Sequence, residues 1–170
     1  MKVAAVIVAG SLLFAGGVSA QGVTDPQIAS IVVTANQVDI DAGKLAVARS
    51  TDAAVKSFAQ LMITDHTGVN KQAVDLVTKL KVTPKDNPTS TSLKEGGAAN
   101  VASLKKLKGA AFDKAYIDHE VAYHQQVLDA LDKTLIPNAS NAELKALLVK
   151  VRPAFVAHLE HAKTIQSSLK

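Results

Sequence analysis

The sequence predicts an all-α protein, an antiparallel four-helix bundle with a long connection between its second and third helices. Three observations predict this. Four long stretches place apolar residues at the 3.6-residue period of a helix, and no segment alternates convincingly with period two. The breaks between the stretches are two short turns and one long polar connection, as a pair of helical hairpins requires. At 170 residues, 48% of them hydrophobic, the chain has the length of one domain and enough apolar material for a sizeable core.

The first segment, residues 1–20, is expected to be a cleaved secretory signal peptide. Lys2 supplies its basic start, Val3 to Val18 carries no charge, and small residues at Val18 and Ala20 suit a signal peptidase. The apolar run is short for a membrane span, so the mature domain is read as residues 21–170. With no cysteine in the chain, neither a disulfide framework nor a lipid-modified cysteine is available, although an exported compartment would permit one.

The first helix begins at Thr24-Asp25-Pro26, a capping side chain followed by proline in the first turn, and ends near Arg49. Its inward face reads Ile28, Ile31, Val32, Ala35, Asp39, Ala42, Ala46. Ser50-Thr51-Asp52 makes a tight connection and a new N-cap, so a second helix, about Asp52 to Lys81, folds back on the first. Its face carries Val55, Phe58, Met62, Val69, Ala73, Leu76 and Leu80, with Asp65 and His66 flanking the centre line. From Val82 to about Gly109, two prolines, a Ser/Thr run and Gly96-Gly97 read as a non-helical connection, with one short helix over Asn100 to Lys108. This connection either crosses the length of the bundle or lies as a flap over one end. The third helix, about Ala110 to Leu135, turns Ile117, Glu120, His124, Val127, Leu128 and Leu131 inward and stops at Ile136-Pro137-Asn138. Ser140-Asn141 caps the fourth, which runs through Leu169 with Pro153 inside it and His158 among its apolar residues.

Each helix therefore carries an ionisable residue on its apolar face: Asp39, then Asp65 and His66, then Glu120 and His124, then His158. All lie roughly 12 to 20 residues from a hairpin turn, which puts them in the middle third of the bundle at about 1.5 Å per residue. Buried singly they would be costly, so they are expected to meet one another, water or a metal. Carboxylates and imidazoles from facing helices are the ligand set that bundles use for iron, manganese or zinc, and imidazole also suits copper. Glu120 and His124, at i and i+4, have a chelating spacing. The spread over two turns means that only a subset can hold one ion. The Glu-x-x-His spacing of a di-iron centre is missing before both His66 and His158, which disfavours an oxygen-activating centre. The bland alternative is a buried hydrogen-bonded network that fixes helix register without an ion.

Other classes find little support. The net charge of +4 falls to +3 once Lys2 is removed, its lysines are spread out, and there is no tryptophan, so nucleic acid is not an expected partner. The lysine clusters are solvated faces, with weak attraction to anionic surfaces as the alternative. No phosphate-binding glycine loop, nucleophile elbow or cysteine points to an enzyme reaction.

Four ordered blocks of residues add a resemblance. They are Asp39-Ile-Asp-Ala-Gly-Lys-Leu-Ala46; Val55-Lys-Ser-Phe-Ala59 with Met62-Ile-Thr-Asp-His-Thr67 and Asn70; Leu107-Lys-Gly-Ala-Ala-Phe-Asp-Lys-Ala-Tyr116 with His124; and His158-Leu159. Together they resemble the bacterial family known as domain of unknown function 4142, from about Asp25 to Leu169. The resemblance implies an exported protein with a ferritin-like bundle, often labelled an outer membrane protein, and implies no reaction. Asp39 stands where the family usually has glutamate, one methylene longer.

The expected function is that of a periplasmic helical-bundle protein, peripherally associated with the outer membrane at most, that holds a divalent transition metal (iron, manganese, zinc or copper). The candidate ligands are Asp39, Asp65, His66, Glu120, His124 and His158. The alternative is a non-catalytic structural or interaction protein of the cell envelope, with the connection at 82–109 as its docking surface. No retained membrane span or barrel strand is expected in the mature chain.

Overall fold

The computed structural model describes residues 22–169. The expected signal peptide, residues 1–20, lies outside them. The described chain is helical, without a strand. It forms α1 (Asp25–Arg49), α2 (Ala53–Lys79), α3 (Pro88–Leu104), α4 (Gly109–Ala130) and α5 (Ala142–Ser168). Between the last two, α4 runs on through a π-helical turn, Leu131–Leu135, and a final turn, Ile136–Asn138.

The caps account for the boundaries. Thr24 and Gln27 close a capping box on α1, with Pro26 in its first turn. Asp52 accepts from the backbone N–H groups of Ala54 and Val55, and Asn141 from those of Glu143 and Leu144. The π turn precedes Pro137, which has no N–H to give and whose ring would crowd the carbonyl of residue 133 in a regular helix. Widening the turn sends the Ile136 N–H to Leu131 O instead. Pro153 lies on the exposed side of α5, where its missing hydrogen bond faces water.

The connection at 82–109 differs from the expectation. It holds a 17-residue helix, α3, where a short helix over Asn100 to Lys108 was expected. Asn87 caps it, its Oδ1 accepting from Thr89 and Ser90, and Pro88 occupies the first turn, so the residues that suggested a break are a helix start. Gly96 and Gly97 sit within the helix. A Cβ on Gly97 would lie 2.7 Å from both Val38 methyls, so this glycine is what lets α3 lie close on α1. Close packing repays the weak helix propensity of the pair.

Hydrogen bonds between elements fix their directions. The N–H of Lys85 donates to Pro26 O at one end of α1, and Arg49 Nη1 donates to Lys105 O at the other, so α3 runs the length of α1 in parallel with it. Asp25 accepts from the backbone of Ser140 and Asn141, and Lys79 pairs with Glu143, which brings the start of α5 to the end where α1 begins and α2 finishes. Gln166 donates to Asp118, so α4 and α5 are antiparallel. The buried apolar residues form two clusters along the axis. One includes Ile28, Leu128, Leu131, Leu148 and Phe155, and the other Phe58, Met62, Phe112, Tyr116 and Ile117. Each large side chain in them contributes roughly 1.5–3 kcal/mol by leaving water.

Candidate metal centre

A polar layer separates the two clusters. On α1, Asn36 and Asp39 fall between Val32 and Ala42; on α2, His66 falls between Met62 and Ala73. On α4, Glu120 and His124 lie between Ile117 and Leu128, and on α5, His158 lies between Phe155 and Ala162. All six are buried, Asp39, Glu120 and His124 to 1% exposure or less.

The hydrogen bonds set the histidine tautomers. Asn36 Nδ2 donates to Val32 O, which leaves Asn36 Oδ1 as an acceptor 2.7 Å from His66 Nδ1. His66 therefore carries a proton on Nδ1. His124 Nδ1 lies 3.0 Å from the carbonyl of Glu120 and carries its proton there. His158 Nε2 lies 2.9 Å from Asp65 Oδ2 and donates to it. In each neutral ring the remaining nitrogen, Nε2 of His66 and His124 and Nδ1 of His158, is then a lone pair. Those three nitrogens are buried and have no hydrogen-bond partner. Both oxygens of Asp39 and Oε2 of Glu120 share that condition.

These acceptors are close together. A ring nitrogen from each of the three histidines lies within 4.8 Å of the others, and Asp39, Glu120 and His124 form a second such group. His66 Nε2 stands 2.6 Å from Asp39 Oδ2, and His124 Nε2 stands 3.6 Å from the same oxygen. The 2.6 Å contact has the length of a hydrogen bond, but with the His66 proton on Nδ1 there is none to share unless Nε2 is protonated as well. Two acceptors this close need a proton between them or a metal ion beside them.

Electrostatics follow burial. Burial works to raise the Asp39 carboxyl, but the His66 imidazole and His124 outweigh it, and the group is held below the usual carboxylate range. Burial, and then the Asp39 charge, pushes Glu120 well above its ordinary value, so its neutral form is favoured more than that of an exposed glutamate. Burial lowers His124 to about 4 and lowers His158, which keeps both rings neutral and their lone pairs free. Burial also pushes the Tyr116 hydroxyl up, with Glu120 adding to it.

Of the six predicted residues, the structure brings together Asp39, His66, Glu120, His124 and His158. Asp65 stands apart. Its side chain is 38% exposed at the rim, and it holds the outer nitrogen of His158. Sequence reasoning missed Asn36, the buried amide that orients His66; its signal was a polar residue four positions after Val32 on the same apolar face. It also missed Phe155 as the wall of the site, with its ring 5.2 Å from that of His66 and 6.1 Å from those of His124 and His158. Tyr123 packs beside the layer, its hydroxyl donating to Ala35 O. His119 stacks on it from the flank.

Fold and site thus define an all-helical protein with a buried His/carboxylate layer. The chain belongs to the family described as domain of unknown function (DUF4142), whose profile matches residues 15–165. No curated protein and no solved structure matches it. Among the described residues no helix is long and apolar enough to cross a membrane.

Proposed function

We propose that this protein binds one divalent transition metal ion at mid-height of a ferritin-like four-helix bundle formed by α1, α2, α4 and α5, with α3 laid along α1. His66, His124 and His158 are the ligands, and Asp39 and Glu120 are the neighbouring carboxylates. Asn36, the Glu120 carbonyl and Asp65 hold the far nitrogens of the three rings, the outer support that metal-bound histidines use. One observation carries this reading: each histidine spends its single ring proton on the Asn36 amide, the Glu120 backbone carbonyl or Asp65, which leaves the other ring nitrogens, the Asp39 oxygens and Glu120 Oε2 as unpartnered acceptors. A nitrogen-rich set with a carboxylate and no sulfur suits zinc, copper, iron or manganese. The ion would supply the positive charge beside Asp39 and His66.

The protein acts on this reading in the periplasm, after removal of residues 1–20, as a metal-binding rather than catalytic bundle. The test is elemental analysis of protein purified without a histidine tag, with melting curves before and after chelation. A near-stoichiometric metal and a melting temperature raised by one of the four ions support the site. Protein that retains none and whose melting is unmoved by any of them contains a proton between Asp39 and His66, and the layer is a register-fixing network.

A further inference from the structure

We propose that the protein also binds a small apolar molecule, beside the polar layer, in a cavity of about 210 Å³ between α1, α4 and α5. The walls are almost wholly apolar: Ile31 from α1, Leu131 and Leu135 from the π turn, and Leu148 and Val151 from α5. Protein interiors pack to crystal-like density with few voids larger than a water molecule, so a space of this size in so small a core is unusual. Apolar cavities of roughly 150 Å³ stay dry and take up benzene. This one has room for a substituted ring or a short acyl chain and has no set of polar groups to hold a water cluster.

Its position gives it a way in and a direction. Exposed Thr89 on α3 and Gln126 on α4 stand at its margin, and small Ala35 and Ala130 line it where larger side chains would fill it. The π turn contributes both Leu131 and Leu135, and π turns inside helices are frequent at functional sites. At the inner end the lining is Asn36, Tyr123 and Phe155. Those three back the histidines: Asn36 orients His66, the Tyr123 ring lies 6.1 Å from that of His124, and Phe155 packs on all three rings. An apolar guest would thus lie one aromatic ring away from the polar layer. Its binding does not require a metal; only its nearness to one rests on the function proposed above.

The test is a methyl NMR titration of the metal-free protein, residues 21–170, with toluene and, separately, octanoate. Saturable shifts of the Leu131, Leu135 and Leu148 methyls with either probe support the site, toluene alone indicating a compact guest and octanoate an extended one. Ala35→Leu and Ala130→Leu, made singly and together, should each weaken binding, the pair at least tenfold, without lowering the melting temperature. Absence of saturable shifts with both probes, or binding that survives the filled variants, overturns the proposal. With Mn²⁺ added, bound toluene should show enhanced proton relaxation; cavity binding without that enhancement would leave this proposal standing and count against the metal site.

Discussion

His66 Nε2 and Asp39 Oδ2, on two residues each 1% exposed, stand 2.6 Å apart. The remaining nitrogen of His66 is committed to Asn36 and that of His124 to the Glu120 carbonyl. On the proposed function a cation joins this pair, and the predictions turn on which cation it is.

His124→Gln removes a ligand nitrogen while keeping a polar side chain of similar reach. Metal affinity should fall by at least about 100-fold, whereas Asn36→Ala, which only frees the His66 ring, should cost about 10–100-fold. Isothermal titration with zinc and manganese reads both. Equal affinities in the wild type and both variants would refute the ligand assignment.

Binding should also release protons. Burial and the Asp39 charge raise the Glu120 pKa and favour its protonated form; an ion beside it reverses that preference. Calorimetry in buffers of differing ionisation enthalpy should show fewer protons released by Glu120→Gln than by the wild type.

The pH dependence of the metal-free fold has a definite sign. His124 is held at about 4, below its ordinary value, so between pH 6.5 and 4 the unfolded chain carries a proton that the folded chain refuses. Stability from this group is full above about pH 6.5 and declines as pH falls towards 4, by roughly 3 kcal/mol. Glu120 works in the opposite direction, since its raised pKa means that stability is lost as pH rises from the carboxylate range. In a Glu120→Gln background, urea midpoints should therefore fall steadily from pH 7 to 4.5, and adding His124→Gln should flatten most of that slope.

Away from the site, the two neighbouring glycines of α3 should behave oppositely. Gly96 has open space where a Cβ would go, so Gly96→Ala should stabilise by about 0.5–1 kcal/mol through helix propensity. Gly97→Val collides with Val38 and should cost about 1–3 kcal/mol, with Val38→Ala restoring part of it. Thermal melts of Gly96→Ala, Gly97→Val and the Gly97→Val/Val38→Ala pair decide it.

How much of this was legible beforehand depended on the range of the interaction. Helix periodicity and caps are local, so the spans of α1, α2 and α5 and the inward placement of Asp39, His66, Glu120, His124 and His158 could be read directly from spacing. The helix α3 could not, because Gly96-Gly97 is a poor helix segment by itself and becomes one only where Val38 comes close enough to need it. Nor could the exclusion of Asp65, which shares its helix with His66 but points to the rim.

The sequence by itself determined that every long helix would bring a polar residue to one level of an apolar core, because helical period and distance from the turns fix face and height. Only the tertiary structure decided which atoms of those residues face one another. Each ring's tautomer depends on a partner from elsewhere in the chain, an amide on α1 for His66 and a rim carboxylate on α2 for His158, or, for His124, on a carbonyl one turn back. A proton's position on an imidazole is set by such neighbours, and no spacing along the chain encodes it.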